Sequence, residues 1–365
     1  MTASLGVRYG QGLPELGIGD GGVSGVAMGT EKPKGLYLLG ESAFARIYGE
    51  DTRRDIEAQV EIVGALQTPE SIAGDASALA DVSLIFSGWG MARVDEAFLE
   101  AAPSLEAIFY AAGTVRYFVT DALWERGVRL TSCYGANAEF VAPYTLAQII
   151  LSLKRVWHFA NKLRSEAGYD PFAKESLPGL YTGVVGLISL GQVGLRVARL
   201  LQETLPAVRV LAYDPFLTPV LAAELGVEPV GLEELFSSCD VVSLHTPWLP
   251  ETVGMITGAH LASMKEGAAF INTARGAVVN EPEMIAVLQQ RPDLYALLDV
   301  THPEPPAAES PLYSLPNVLL TPHIAGAHNT ECLLMGRTMV TELARYLAGE
   351  RMEYEVTQEM LPLLA

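Results

Sequence analysis

The chain has 365 residues, of which 24 are lysine or arginine and 43 are aspartate or glutamate, so the formal net charge at pH 7 is −19. Half of the residues are hydrophobic and the mean hydropathy is +0.25, which excludes a largely disordered protein. A chain this acidic repels phosphate backbones and anionic lipids, so we expect no nucleic-acid partner and no membrane partner. The length predicts about two domains.

The N-terminus and the cysteines of the chain favour a cytoplasmic location. Residues 1–30 are rich in glycine and contain no apolar segment of signal-peptide length, which predicts an N-terminal arm. No uncharged apolar run approaches the roughly 18 residues that a membrane span needs. Cys133, Cys239 and Cys332 lie far apart and form no CxxC pair. This spacing favours a reducing compartment over a disulfide framework or a zinc ribbon.

Short apolar segments alternate with helical patterns along the first third of the chain. Such alternation is typical of βαβ units around a parallel sheet. A long helix is predicted over Asn137–Arg164, followed by a loop over Ala167–Leu180 that leads into a second domain. The predicted strands of the first domain are Leu36–Leu39, Val60–Val63, Val82–Phe86, Ala107–Tyr110 and Val128–Thr131.

A second and cleaner alternation follows. One helix is predicted from Gly191 to about Glu203, and the last helix, about Glu331–Ala348, is expected to return to the first domain. The pattern predicts an α/β fold with two Rossmann-like domains and parallel sheets, in which residues 31–135 plus 325–365 form the first domain and residues 136–324 the second. The predicted strands of the second domain are Gly183–Ile188, Val208–Tyr213, Asp240–Leu244, Ala268–Asn272, Tyr295–Val300 and Val318–Leu320.

Residues Val184–Gly194 occupy the strand–turn–helix position of a GxGxxG dinucleotide fingerprint, with Ser189 in place of the first glycine. Gly191 allows close approach of a pyrophosphate to the helix N-terminus, and Gly194 allows the helix to pack on the strand. Asp214 follows Gly194 by 20 positions (214 − 194), where an acid binds a ribose 2′-hydroxyl and repels a 2′-phosphate. The pattern favours NAD over NADP; a structural glycine turn beside a solvated aspartate is the alternative. The cofactor residues predicted here are Ser189, Gly191, Gln192, Val193, Gly194 and Asp214.

Three further motifs stand in order along the chain: Phe270–Gly276, Leu298–Pro305 and Leu320–Gly326. With the fingerprint, they closely resemble the NAD-dependent D-2-hydroxyacid dehydrogenase family. Upstream, Ala111–Thr114 and Gly135–Glu139 are similar to that family's substrate loop and interdomain helix start. The resemblance covers about residues 80 to 350.

The resemblance implies a two-domain enzyme, commonly a homodimer, that interconverts a small 2-keto acid and its D-2-hydroxy acid in the interdomain cleft. The discontinuous first domain is then the substrate domain. Arg275 matches the substrate-binding arginine, Glu304 and His323 match the acid–base pair, and Asp299 matches a residue near the nicotinamide. Further matches are His245, Pro247, Thr252 and Thr273 for the cofactor, and Ala112, Gly113 and Thr114 for the substrate.

The residue types suit this chemistry. A histidine transfers protons near neutral pH, and a carboxylate beside it stabilises the imidazolium and orients the ring. Arginine binds a carboxylate with a planar set of donors. Taken alone, His323, Arg275 and Glu304 each have an ordinary structural interpretation, and only their combination favours catalysis.

Several alternatives stay open in the sequence. His323, His328 and Cys332 have a spacing that a metal site could use, but no nearby acid or second cysteine completes it, so we predict no metal. Trp89 is equally consistent with a wall of the substrate pocket and with ordinary packing. Arg116, in a segment that departs from the family, is either a second acid-binding group or a surface charge. Pro143 and Asn280 also depart from the family pattern without touching the proposed catalytic residues.

Two classes of function compete. The first is the dehydrogenase. Within this fold type the sequence also leaves formate or phosphite oxidation open, and Glu304 argues against formate because formate dehydrogenases carry glutamine at the matching position. The second is a non-catalytic, dimeric NAD-sensing regulatory protein. A sensor needs the cofactor site but no proton donor, so the presence of Arg275, Glu304 and His323 disfavours it. The substrate side chain and the physiological direction are left undetermined by the sequence.

Overall fold

In a computed structural model, the chain is described over residues 31–166 and 177–363, and residues from Pro33 onward belong to one compact unit. The predicted arm over residues 1–30 and most of the predicted loop over 167–180 lie outside the described residues. None of the described helices combines the length and the apolar character needed to cross a membrane.

The first sheet has six strands in the order β13-β5-β4-β3-β1-β2. All its pairs are parallel except β13 with β5, which is antiparallel and was not predicted. Phe86 and Phe109 stack at 5.1 Å between ring centroids at its centre. The strands are β1 (Lys34–Leu38), β2 (Glu61–Ile62), β3 (Leu84–Ser87), β4 (Ala107–Tyr110), β5 (Arg129–Ser132) and β13 (Glu355–Val356).

Helices cover this sheet, and one of them comes from the far end of the chain. That helix, α14 (Glu331–Leu347), buries Met335, Met339 and Leu343 in the same hydrophobic core as β1 to β5. The predicted return of the last helix to the first sheet therefore describes where α14 packs, while the domain boundaries stay predictions. The other helices here are α1 (Glu41–Ile47), α2 (Glu50–Glu57), α3 (Pro69–Gly74), α4 (Glu96–Ala101) and α5 (Asp121–Glu125).

The second sheet has seven parallel strands in the order β12-β11-β10-β9-β6-β7-β8. The strand order reverses between β6 and β9, and in open α/β sheets ligands bind at such a switch point, beyond the carboxyl ends of the strands. The strands are β6 (Val184–Ile188), β7 (Arg209–Tyr213), β8 (Glu228–Pro229), β9 (Val241–Leu244), β10 (Ala269–Asn272), β11 (Tyr295–Leu298) and β12 (Val318–Leu320). The helices are α8 (Gly179–Thr182), α9 (Gln192–Thr204), α10 (Pro219–Leu225), α11 (Leu232–Ser238), α12 (Gly258–Ala262) and α13 (Glu281–Gln290).

The long helix predicted over Asn137–Arg164 is two helices, α6 (Tyr134–Leu153) and α7 (Val156–Ser165). The continuous prediction was wrong because Arg155 adopts a left-handed conformation, with φ of 48°. Its N–H donates to the carbonyl of Ser152, three residues back, which ends the helical pattern. Pro143 lies inside α6 on an exposed position and does not interrupt it.

The α/β class with two Rossmann-type sheets is thus confirmed. The strands that the sequence analysis missed are β8 and β13, whose two-residue sequences, Glu-Pro and Glu-Val, contain no apolar run.

Candidate active site

Two loops that follow neighbouring parallel strands bring Glu304 and His323 together. Glu304 lies in the connection after β11, and His323 follows β12. The Nδ1 atom of His323 and the Oε1 atom of Glu304 are 2.6 Å apart, and the two side chains are 47% and 42% exposed. Because the carboxylate engages Nδ1, Nε2 is the ring nitrogen left to exchange a proton with a ligand.

The backbone at His323 is left-handed, with φ of 55°, and the buried Asp299 holds it. The carbonyl of Asp299 accepts the N–H of His323 at 2.9 Å. Its carboxylate, only 3% exposed, accepts the N–H groups of Ile324 and Ala325 at 2.9 Å each and the hydroxyl of Thr321 at 2.6 Å. The carboxylate of Asp299 therefore fastens the loop that carries His323, and its predicted contact with the nicotinamide stays a prediction.

Arg275 follows β10 in a turn fixed by Asn272, whose side chain accepts the N–H of Ala274 and donates to the carbonyl of Arg275, each at 3.0 Å. Burial lowers the pKa of Arg275, and the nearby charge of Glu304 acts in the opposite direction. The guanidinium nevertheless stays protonated. A Cβ at Gly276 would overlap the backbone of Thr301, so only glycine allows the turn to pack here. A half-buried cation near the Glu304–His323 pair suits an anion.

The predicted substrate loop follows β4 on the other sheet. Ala112 is buried and its N–H donates to the carbonyl of Tyr110 at 2.9 Å, so it has no donor to offer. Within the part of the chain that the structure describes, the N–H groups of Gly113 and Thr114 have no protein acceptor. The hydroxyl of Ser132 binds the carbonyl of Gly113 at 2.9 Å and so orients this turn. Two adjacent free N–H groups suit a carboxylate.

The dinucleotide loop fits NAD by its local geometry. A Cβ at Gly194 would overlap the carbonyl oxygen of Ser189, which explains why the helix needs glycine there. A Cβ at Gly191 would meet nothing within 4 Å, so open space lies where a pyrophosphate approaches. Gly191 precedes the first turn of α9, whose N–H groups at Gln192 and Val193 have no side-chain cap.

Ser189 shows how the chain departs from the fingerprint. It adopts φ of 70°, the left-handed conformation for which glycine is usual. Its hydroxyl lies 2.8 Å from that of Thr246 at the end of β9, so the substituted residue ties the dinucleotide loop to the neighbouring strand. The loop keeps its glycine-like backbone without glycine.

Asp214 lies beside that loop. Its carboxylate accepts the N–H of Leu190 at 2.7 Å and that of Phe216 at 2.7 Å. Each carboxylate oxygen has a second lone pair, so the group can still accept ribose hydroxyls.

The remaining predicted cofactor residues surround the same strand ends. Burial lowers the pKa of His245 to about 3, so this imidazole is neutral, and its Nε2 lies 3.1 Å from the Ser243 hydroxyl. Thr252 donates to the carbonyl of Pro247 at 2.6 Å and shapes its own turn. Thr273 bonds Thr145 on α6 at 3.0 Å between hydroxyl oxygens.

The structure bears on the alternatives that the sequence left open for the metal site, Arg116, Trp89 and Asn280. In residues 31–166 and 177–363 no three His, Cys, Asp or Glu side chains cluster as metal ligands. Arg116 donates to the carbonyl of Leu361, which is a structural role for this cation. Trp89 stacks under Arg46, with 5.3 Å from guanidinium carbon to ring centroid, and is 36% exposed. Asn280 caps α13.

Three residues of α6 that contact the site were missed by the sequence analysis. Tyr144 bonds Thr321, Thr145 bonds Thr273, and the side chain of Asn137 accepts the N–H of Ala327 at 2.9 Å. Asn137 and Tyr144 are seven residues apart, two helical turns, and this spacing of two polar residues on one face of the helix was the available signal.

Comparison with known proteins gives the class. Residues 146–325 match the model of the D-isomer specific 2-hydroxyacid dehydrogenase NAD-binding domain. Glyoxylate reductase of Korarchaeum cryptofilum is 32% identical over 280 residues, which cover 73% of this chain and 81% of that protein. The chain therefore belongs to the D-isomer-specific 2-hydroxyacid dehydrogenase family, and its cofactor is NAD.

Two further comparisons show how far the similarity to known proteins extends. D-3-phosphoglycerate dehydrogenase of Archaeoglobus fulgidus is 30% identical over 259 residues, and this chain spans about half (48%) of its length. The crystal structure of the holo form of Rhodotorula graminis D-mandelate dehydrogenase matches with a TM-score of 0.73 and 26% identity, covering 90% of this chain and 99% of that one.

Proposed function

We propose that this protein reduces a small 2-keto acid to its D-2-hydroxy acid with NADH, and catalyses the reverse oxidation with NAD. The observation that carries the proposal is the half-buried Arg275 cation within electrostatic reach of the Glu304–His323 pair. An anion-binding group next to a carboxylate–histidine pair is what a 2-keto acid requires, because its carboxylate adjoins the carbonyl to be reduced.

Arg275 binds and orients the substrate carboxylate, assisted by the free N–H groups of Gly113 and Thr114. Its positive charge also polarises the adjacent carbonyl group. Bound NADH supplies the hydride that reduces C2. His323 Nε2 gives a proton to the carbonyl oxygen, so the C=O bond becomes H–C–OH. Glu304 accepts from Nδ1, fixes the ring and stabilises the imidazolium form before transfer.

We further propose a homodimer and a cytoplasmic location. The helix α7 buries none of its residues, and Leu163 and Tyr181 are exposed, which supports a second copy covering this region. The three cysteines are free and buried, in keeping with a reducing compartment.

The proposal is tested by NADH oxidation with a panel of glyoxylate, hydroxypyruvate, pyruvate, phenylpyruvate and branched-chain 2-keto acids. Arg275→Ala is the test variant, and Arg116→Ala, which removes a cation that binds the Leu361 carbonyl, is the matched control. Turnover by the wild type and the control that is lost in Arg275→Ala supports the proposal. Equal turnover by all three proteins would contradict the role of Arg275.

If the protein is instead an NAD-sensing regulator, the opposite result is expected in the turnover assay. A regulator should show clear NADH binding with no turnover of any 2-keto acid, and capture of a protein partner only when NADH is present. That combination would replace the dehydrogenase proposal.

A further inference from the structure

The loop that carries His323 is fastened at both ends to one helix. Thr321, two residues before His323, has its hydroxyl oxygen 3.0 Å from that of Tyr144 on α6. Ala327, four residues after His323, donates its N–H to Asn137 of the same helix at 2.9 Å. Tyr144 and Asn137 share one face of α6 because they are two helical turns apart.

The direction of the bonds follows from the donors available. The carboxylate of Asp299 only accepts, so the hydroxyl hydrogen of Thr321 is given to it, across 2.6 Å. Thr321 then has only a lone pair to offer Tyr144, and the phenol must donate. Tyr144 thus donates to Thr321 and Thr321 donates to Asp299, whose carboxylate also accepts the N–H groups of the two residues after His323.

These bonds matter because His323 has φ of 55°, a left-handed conformation that is unfavourable for a residue with a side chain. Such a backbone persists only where its surroundings over-determine it. The side chains of Glu304 and His323 are both about half exposed. Burial therefore does not hold them together, and their hydrogen bond depends on the position of the loop that carries His323.

The same turn of α6 also reaches the other catalytic loop. Thr145, next to Tyr144, bonds Thr273, two residues before Arg275. Just before α6 begins, Cys133 donates its N–H to the carbonyl of Ala112 in the predicted substrate loop at 2.9 Å. One helix therefore connects all three parts of the site.

We propose that Tyr144 is a positioning residue, which fixes the acid–base histidine through Thr321 and Asp299. This inference rests on the proposed function, in which His323 transfers the proton. Tyr144 touches neither the substrate nor the reacting atoms in this account, so its effect must pass through His323.

The test variant is Tyr144→Phe, which removes one oxygen atom. The matched control is Tyr346→Phe; the Tyr346 hydroxyl donates to Glu106 at 2.8 Å, at the amino end of β4. We expect Tyr144→Phe to lower kcat about tenfold, the usual worth of one such bond, while the substrate KM and the Kd for NADH change less than about twofold. The control should keep wild-type values. Thr321→Val, which removes both bonds at once, should lower kcat further.

A double-mutant cycle separates positioning from any direct role. In the His323→Ala background, Tyr144→Phe should cost less than about twofold, because the residue through which it acts is gone. Hydrogen exchange of the 321–327 peptide should also be faster in Tyr144→Phe than in the wild type and in Tyr346→Phe. An unchanged kcat with unchanged exchange, or an equal loss of kcat in both backgrounds, would overturn the inference.

The exchange measurement also distinguishes this inference from the function on which it rests. If the wild type turns over no 2-keto acid, the proposed function has failed. Hydrogen exchange alone then tests whether Tyr144 positions His323. Faster exchange at 321–327 in Tyr144→Phe alone would still establish that Tyr144 positions His323, whereas equal exchange in all proteins would refute it.

Discussion

Two loops at the carboxyl ends of the second sheet place a residue with a side chain in the left-handed region, and they are held in different ways. In the dinucleotide loop, Ser189 has φ of 70°. Its backbone packs against Gly194 of the same motif, and its hydroxyl bonds that of Thr246 on the neighbouring strand connection. In the loop that carries His323, which has φ of 55°, Ala325 donates to Asp299, and Ala327 donates to Asn137 of α6, 190 positions earlier in the chain.

The difference teaches where each function is encoded. Cofactor binding depends on steric requirements that a short sequence motif reveals, because glycine is required where a Cβ would overlap the backbone. In the proposed mechanism, proton transfer by His323 depends on hydrogen bonds between residues more than a hundred positions apart, such as that between Tyr144 and Thr321, and no local sequence pattern predicts them.

The largest expected effect comes from removing the imidazole of His323. His323→Ala should lower kcat by at least about 10²-fold, the ordinary scale of general acid–base catalysis, with little change in the Kd for NADH. Steady-state kinetics and NADH fluorescence titration measure the two quantities. An unchanged kcat would remove His323 from the mechanism, and lost NADH binding would mean that the two loops are not separable.

The next effect separates the two glycines of the dinucleotide loop. Gly194→Ala should lower the free energy of unfolding by about 3 kcal/mol, because the added Cβ overlaps the Ser189 carbonyl. Gly191→Ala, which meets nothing within 4 Å, should change it by less than about 0.5 kcal/mol yet weaken NADH binding at least about tenfold. Denaturant unfolding and NADH titration check both. Equal stability losses, or full NADH affinity in Gly191→Ala, would contradict the geometry.

The third effect concerns pH. Burial lowers the pKa of His245 to about 3 in the folded chain, whereas the unfolded chain takes up the proton near the ordinary value of 6.5. The unfolded state therefore binds more protons between these values, so stability falls as the pH drops through 6.5 toward 3. Between pH 7 and 4.5 the wild type should lose about 2–3 kcal/mol more than His245→Gln. Parallel pH dependence in the two proteins would show that His245 carries no such burial penalty.

The smallest effect tests the substitution at Ser189. Ser189→Ala keeps the left-handed backbone but loses the bond to Thr246, so it should cost about 1 kcal/mol of unfolding free energy. Ser189→Gly loses the same bond but relieves the backbone, so its change should stay within about 0.5 kcal/mol. Thermal unfolding of the three proteins compares them. A glycine variant less stable than the alanine variant would mean that the backbone at 189 is not strained.

Most of the architecture was predictable because buried parallel strands are continuous apolar runs, and all eleven predicted strands overlap observed ones. The break between α6 and α7 was not predictable from periodicity, since helix-forming residues continue through Arg155. The antiparallel strand β13 was missed because its two residues, Glu355 and Val356, form no apolar run.

The candidate site was predictable where motifs carry steric or chemical requirements, as at Gly194 and Arg275. Ala112, which the resemblance matches to a substrate residue, already donates its N–H to the carbonyl of Tyr110. Asn137, Tyr144 and Thr145 escaped notice because each is an ordinary helical residue until the fold brings the catalytic loops to it.

The central claim is that the site reduces a 2-keto acid on one face. The most direct test is chiral analysis of the product formed from phenylpyruvate or hydroxypyruvate with NADH, by the wild type and by His323→Ala. The account predicts the D-2-hydroxy acid from the wild type and almost none from the variant. An L or racemic product, or equal product from both proteins, would contradict it.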